Sequence, residues 1–291
     1  MSIWLIGNKG MLGLDVESLL QKNRFYHISS DQEVDIADQT ALQEFTAQHH
    51  DPKIEWIINC SGYTAVDKAE AEPDSAFRIN AHGVGNIADI AKDLDATLIH
   101  ISTDYVFAGD KDSPYSENDS TAPAGVYARS KLQGEQNILQ RLDKYFIIRT
   151  AWLYGTRGNN FLRIMLLLFQ QRDTVQVVSD QWGSPTYTKD LARVILHIIR
   201  SHETEYGIYH YTNAGKTNWF EFAQEIYRQA RRTGLVNRDV RILPIATEDY
   251  PTLAKRPHYS YLSKEKIQKT LRISIRNWQI ALQDCIEEIV E

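Results

Sequence analysis

Apolar residues in this chain come in short dense runs separated by stretches of helical spacing. Ile3-Trp4-Leu5-Ile6, Trp56-Ile57-Ile58-Asn59-Cys60, Ala96 to Ser102 and Tyr145 to Arg149 read as strands. They show little alternation, as strands of a sheet covered on both faces do. Phe25 to Ser29 reads as a further strand, second in the chain. Between the strands lie helices: Leu14 to Leu20, Asp38 (an N-cap) to Gln48, and Ser75 to Leu94, opened by Glu72-Pro73-Asp74. A fourth runs from the region of Tyr127 to about Leu142. Strand and helix in strict turn imply an α/β fold with a doubly wound parallel sheet over residues 1–150. After Trp152 the pattern loosens. Helices are expected at Leu162 to Gln170, Thr188 to Ile199, Trp219 to about Arg232, Lys264 to Lys269 and Trp278 to Val290, with short strands at Val175 to Val178 and Tyr209 to Tyr211. We expect a segment near 186–201 to return to the first unit, and 151–185 with 202–291 to form a smaller C-terminal α/β substrate domain.

The first strand runs into Gly7-Asn8-Lys9-Gly10-Met11-Leu12-Gly13 and then a helix. Strand, glycine turn and helix are the setting in which backbone N–H groups meet a pyrophosphate at a helix N-terminus. The spacing is G-x-x-G-x-x-G, looser than the standard G-x-G-x-x-G. The second strand ends in Ser29-Ser30-Asp31. An acidic residue there accepts ribose hydroxyls of NAD, whereas Ser30 and its neighbour could equally meet a phosphate, and no arginine is adjacent in sequence. Asp35 and Ile36 could flank an adenine. The third strand runs into Ser61-Gly62-Tyr63, and small residues at such a carboxyl end let a cofactor pass close to the backbone.

Tyr127 and Lys131 stand four apart, one turn along a helix face. An ammonium near a phenol favours the phenolate, which would make Tyr127 a usable general acid near neutral pH. Thr103 closes the fourth strand and could hydrogen-bond the same substrate oxygen. Such a set needs a hydride carrier, which the glycine turn can seat. The indoles of Trp152 and Trp182 lie in polar, glycine-containing loops, where a flat ring could stack on a sugar or a base. For Trp152 the alternative is a core residue closing the fifth strand. Lys255-Arg256 reads either as a solvated pair or as a contact to a diphosphate.

Composition narrows the classes further. The 291 residues are 43% apolar and 24% charged, with net charge −6, which argues against nucleic acid or an anionic membrane as the main partner. Cys60 and Cys285 are far apart, and the nine histidines form no ligand-spaced cluster, so no metal is expected from them. No apolar run approaches membrane-spanning length, and the N-terminus lacks a basic leader, so we expect a cytoplasmic protein.

Taken together, Gly7 to Gly13, Tyr63 to Glu70 (YTAVDKAE), Ser102 to Phe107 (STDYVF), Tyr127 with Lys131, Arg149 to Gly155 (RTAWLYG), Gly158 to Phe161 (GNNF) and Asp180 to Thr186 (DQWGSPT) resemble the extended short-chain dehydrogenase/reductases, and within them the dTDP-4-dehydrorhamnose reductase family. The resemblance covers nearly the whole chain. It implies a Rossmann fold, NADPH or NADH as cofactor, and reduction of a nucleotide-linked 4-keto-6-deoxysugar, with dTDP-4-dehydrorhamnose giving dTDP-L-rhamnose. It further implies Thr103, Tyr127 and Lys131 as the catalytic set, with Tyr127 and Lys131 also touching the cofactor. Gly7, Gly10, Met11, Leu12 and Gly13 would surround the pyrophosphate, with Ser30, Asp31, Asp35 and Ile36 toward the adenosine and Ser61, Gly62 and Tyr63 along the other ribose. Thr64, Val66, Asp104, Tyr105, Trp152, Asn160 and Trp182 would lie on the substrate side.

Two departures stand out. Cys60-Ser61-Gly62 replaces a run of alanines, and Asp15 stands where some members hold Mg2+ between two subunits. One acidic residue does not establish a metal site, although the resemblance allows a homodimer. Related sequences also include a catalytically silent NADP-binding regulatory subunit, epimerases and dehydratases. An intact triad argues against the silent subunit, and a dehydratase would want a second carboxylate where Tyr105 follows Asp104.

Overall fold

The computed structural model describes residues 1–290. Six parallel strands make the central sheet: β1 (Ser2–Ile6), β2 (Tyr26–Ser30), β3 (Trp56–Asn59), β4 (Thr97–Thr103), β5 (Tyr145–Thr150) and β6 (Gly207–His210). Their order is β6-β5-β4-β3-β1-β2, so the direction of winding reverses beside β1. Side chains of each strand alternate between two apolar layers. Ile3 and Leu5 pack with Leu12, Val16, Leu191 and Ile195, while Trp4 and Ile6 pack with Leu42, Ile87 and Ile138 on the other face. Burial on both sides explains the unbroken apolar runs.

Helix Thr188–Ser201 shows how sequence pattern becomes packing. Leu191, Val194, Ile195, Ile198 and Ile199 follow helical spacing and are all buried. Each is worth about 1.5–3 kcal/mol of burial at most. The helix lies beside Met11–Lys22, and β6 follows it into the sheet. The sheet therefore draws in chain beyond 186–201. Asp38 caps helix Gln39–Gln48 by accepting from the N–H groups of Thr40 and Ala41.

The long helix expected from Ser75 to Leu94 is interrupted. Pro73–Phe77 and Val84–Asp93 are α-helical, and Arg78–Gly83 between them is a π-helical turn. Such widened turns are frequent at functional sites. The smaller C-terminal unit has its own core, in which helices Phe161–Gln171, Trp219–Thr233 and Trp278–Val290 meet Tyr154 and Tyr187. A two-stranded parallel ribbon, Thr174–Val178 with Arg241–Ile245, edges it. The second strand of that ribbon contains Pro244, and a proline argues against a strand, so the short apolar stretch from Ile242 to Ile245 does not disclose it. Among the described residues no helix is long and apolar enough to cross a membrane.

Candidate active site

The carboxyl ends of the strands open onto a cleft of about 1250 Å³. One end is the turn after β1. Gly7 has φ +81°, and a Cβ there would stand 2.7 Å from the Ser61 nitrogen, so only glycine fits between β1 and β3. Its N–H donates to the Ser30 carbonyl at 2.7 Å. Helix Met11–Lys22 starts at Gly10, which offers no side-chain cap. The first N–H groups of that helix therefore have no partner within it. Met11 and Leu12 line the cleft, which places an anion-binding helix start at its wall.

Asp31, Asp35 and Ile36 line the same end together with Lys9 and Arg78. Arg78 is ion-paired with Asp35, and Lys9 with Glu33 at 2.9 Å. Burial pushes the Asp35 carboxyl up, but the Ala37 N–H and Arg78 outweigh it and leave it below the usual carboxylate range. This end of the cleft is not purely acidic. An arginine absent from the sequence neighbourhood of Asp31 is supplied by the π-helical turn.

Thr103, Tyr127 and Lys131 line the cleft too, with Ser61, Gly62 and Tyr63, and Gly62 lies close to the Lys131 ammonium. Burial pushes the Tyr127 phenol up to about 12, against the pull of the Thr103 hydroxyl. Lys131 makes its hydrogen bonds to groups other than the phenol. Its Nζ donates to the Ile101 carbonyl at 2.6 Å and lies 3.4 Å from His100 Nε2. Burial pushes this lysine down to about 8, while Glu135 and Cys60 favour its charge. Asp104, beside Thr103, is 2% exposed, and one of its oxygens, Oδ2, has no partner. Burial pushes its carboxyl up to about 7, against hydrogen bonds from Ser260 and Thr103.

Thr64, Val66, Asp104, Tyr105 and Trp152 also line the cleft. Tyr105 meets Tyr127 edge to face at 5.9 Å. Trp152 stacks on Trp219 at 3.7 Å, and that second indole lines the cleft as well. A hollow beside Tyr127 is closed by Ala254 to Pro257. Asp67 ties that loop down by accepting from the Ala254 N–H at 3.0 Å and from Arg256 at 2.5 Å.

A dinucleotide-sized cleft with a Thr, Tyr and Lys on one wall is the setting in which comparison with known proteins becomes informative. The family model described as RmlD substrate binding domain matches residues 1–291. The chain belongs to this family. It is 36% identical to the dTDP-4-dehydrorhamnose reductase of Escherichia coli K12 over 99% of this chain and 98% of that protein. Its fold is similar to the crystal structure of a dTDP-4-dehydrorhamnose reductase from Clostridium acetobutylicum, with TM-score 0.93 and 39% identity over 100% of both chains. It is also similar to the Bacillus anthracis dTDP-4-dehydrorhamnose reductase solved in complex with NADP, with TM-score 0.92 and 37% identity over 99% of both.

Four residues that the family resemblance put in the site stand outside the cleft lining. A Cβ on Gly13 would come within 2.0 Å of the Gly7 carbonyl oxygen, so this glycine seats the helix against the turn. Ser30 is fully buried and its hydroxyl accepts from the Trp4 indole at 2.9 Å. Asn160 caps helix Phe161–Gln171, and its amide donates to the Gly155 carbonyl at 3.0 Å. Trp182 packs with Tyr259 and Val106, with the Lys216 ammonium 5.0 Å above its ring. The polar, glycine-containing loop that singles out Trp182 does not separate a packing role from a cleft-facing one.

The fold also recruits residues that sequence reading passed over. Besides Lys9, Arg78 and Trp219, buried Asn80 joins the Tyr63 N–H (2.9 Å), the Tyr63 carbonyl (3.0 Å) and the Ser130 hydroxyl (3.0 Å), which locks the Tyr63 loop to the Tyr127 helix. A polar residue inside an apolar helix face was the available signal. The Mg2+ suggested by Asp15 does not suit these residues. Burial raises the Asp15 carboxyl, the Thr188 hydroxyl faces it, and the adjacent Lys189 ammonium is paired with Glu288 at 2.5 Å. A cation is thus already part of that cluster, and among the described residues no three His, Cys, Asp or Glu are grouped to hold a metal.

Proposed function

We propose that this chain reduces dTDP-4-dehydrorhamnose to dTDP-L-rhamnose with NADPH. The observation that carries the reading is the convergence of Thr103, Tyr127 and Lys131 on one wall of a cleft that begins at a glycine turn and a helix N-terminus. The residues fit a dinucleotide, since a Cβ at Gly10 would meet only the Gly7 oxygen, at 3.3 Å, and otherwise open space. Backbone N–H groups of Met11 and Leu12, beside the open Gly10, would hold the pyrophosphate, and Asp35, Ile36 and Arg78 the adenosine end. Arg78 and Lys9 favour the phosphorylated cofactor over NADH. When bound, the cofactor supplies the hydride.

The remaining chemistry belongs to side chains. Tyr127, protonated at neutral pH, gives its proton to the oxygen that becomes an alkoxide. The Thr103 hydroxyl donates to that oxygen and stabilises its growing charge. Lys131 and the Ser61 to Tyr63 turn position the ribose beside it. Thr64, Val66 and Trp152 face the sugar.

The test is purified protein with dTDP-4-dehydrorhamnose and each reduced cofactor, following loss of reduced-cofactor absorbance and identifying the sugar product by NMR. Faster turnover with NADPH, yielding dTDP-L-rhamnose, is the expected result. Tight NADPH binding with no turnover would instead indicate a silent binding subunit, and a different product sugar would move the substrate assignment within the family.

A further inference from the structure

Beneath the cleft a file of hydrogen bonds runs from Ser61 through Asn59 and His100 to Lys131, and its polarity can be read from one end. The Ser61 backbone N–H can only donate, and it donates to Asn59 Oδ1 at 3.0 Å. The Ser61 hydroxyl reaches the same oxygen at 2.6 Å. Asn59 therefore presents its NH2 group in the other direction, toward His100 Nδ1 at 3.1 Å. An amide NH2 has no acceptor capacity, so Nδ1 must accept and carries no hydrogen. A neutral ring then holds its hydrogen on Nε2, 3.4 Å from Lys131 Nζ. Asn59 and His100 are both fully buried, so no bulk solvent intervenes.

We propose that His100 is a positioning residue for Lys131: fixed by Asn59 as the Nε2–H tautomer, it aims that hydrogen at Nζ and so favours the uncharged amine. An ammonium would set donor against donor at that contact, whereas an amine accepts through its lone pair. The bond from Nζ to the Ile101 carbonyl is open to either form. Protonating the ring would put a hydrogen on Nδ1 against the Asn59 NH2, so the imidazole stays neutral. Burial, and then the Lys131 charge, hold His100 well below its ordinary 6.5. The groups that oppose His100 come from other directions. Cys60 faces the lysine from the end of β3, and Glu135 from its own helix, where Arg149 of β5 is paired with it at 2.7 Å. Lys131 is thereby balanced between its two charge states close to neutrality, where a proton can leave and return within turnover.

The consequence for catalysis rests on the reductase reading above, in which charged Lys131 supports the reacting end of the cofactor. The tautomer does not rest on it. Protein labelled with 15N-histidine, free of cofactor and substrate, should show one ring with Nδ1 bare and Nε2 protonated throughout about pH 6 to pH 9. That ring is identified by its loss in His100→Gln, or by its response to Lys131→Met. Its Nε2 signal should move with a midpoint near 8, where Lys131 titrates, and should stop moving in Lys131→Met. An Nδ1-protonated ring, an imidazolium in this range, or an Nε2 signal indifferent to Lys131→Met would overturn the proposal. In His100→Gln the amide can turn its oxygen to the ammonium, so the alkaline limb of the kcat profile should move up by about one unit, the scale of one charge-assisted hydrogen bond. An unmoved limb in a folded, active variant would remove the catalytic part while leaving the NMR result standing. Absence of turnover in the wild-type protein would count against the reductase reading alone.

Discussion

A phenol that must give up a proton at neutral pH has first to keep it. Tyr127 keeps it through burial, which pushes the phenol up to about 12. One turn along the same helix, the Lys131 Nζ donates to the Ile101 carbonyl at 2.6 Å. Tyr127→Phe preserves the ring packing against Tyr105 and removes only the proton. Turnover should fall on the order of a hundredfold or more, with NADPH binding unchanged. Near-normal kcat in a folded Tyr127→Phe protein would show that another group is the acid. Asp104 gives a prediction in pH. Its carboxyl is raised from the ordinary 3.8 to about 7 by burial, so the folded state binds a proton that the unfolded state has released over that window. Stability from this group is complete below about pH 4 and is lost as pH rises toward 7. Asp104→Asn cannot ionise, so its Tm relative to wild type should climb between about pH 4 and pH 7 and level off above, on the scale of one buried ionisation. A constant Tm difference over that range would mean that Asp104 ionises as freely folded as unfolded.

Among the elements, the helix Val126–Arg141 bears the most on the site, and it is held by charge as well as by apolar packing. Glu135 accepts from the Ser102 hydroxyl at 2.5 Å and from Arg149 at 2.7 Å, with both ionic groups at most 3% exposed. The three residues come from that helix, β4 and β5, so the network fixes the helix that carries Tyr127 and Lys131 against the strand that ends in Thr103. Removing one member leaves a buried charge alone. Glu135→Gln should cost about 3–5 kcal/mol, read as the drop in Tm and in urea midpoint, and adding Arg149→Met should recover part of it. A Tm unchanged in the single variant would show that the pair stabilises nothing. The glycine turn offers a second contrast. Gly10 has φ −72° and ψ 163°, which any residue adopts, so Gly10→Val should fold while its side chain blocks the cleft and NADPH titration fails. Unaltered NADPH binding in folded Gly10→Val would put the phosphates elsewhere. Elements of this kind were legible because each announces itself locally: an apolar run, a cap such as Asp38, or a glycine with nowhere to put a Cβ. Arg241–Ile245 was not legible, because Pro244 interrupts its short apolar stretch and argues against a strand. Nor was the π-helical turn at Arg78–Gly83, since helical periodicity passes through it with little change.

At the scale of the molecule, what stayed hidden is what depends on residues far apart in sequence. The order β6-β5-β4-β3-β1-β2 brings Arg78 to Asp35, and the stacking of Trp152 on Trp219 joins the end of β5 to a helix of the C-terminal unit. None of these pairings leaves a trace at either partner alone. The tie between Asp67 and the loop at Ala254 to Pro257 is the longest of them at the cleft, with 187 and 189 positions separating its two hydrogen-bonded pairs. It joins the YTAVDKAE segment of the first unit to a C-terminal loop and closes the hollow beside Tyr127. Its side chains are 41% and 19% exposed, so the ion pair itself should add no more than about 1 kcal/mol to stability. Its weight lies in where it holds the loop. Asp67→Ala should therefore leave Tm within about two degrees, since a loss of that size moves the midpoint of a chain this long by little. NADPH affinity should also be unchanged, because the adenosine end and the glycine turn lie along a different stretch of the cleft. The KM for the nucleotide-sugar should rise by roughly three- to tenfold, the cost of ordering a freed loop at each binding event. A parallel loss of cofactor affinity would mean that the loop braces the whole cleft, and an unchanged KM would mean that the substrate does not reach the hollow that Arg256 and Tyr105 enclose.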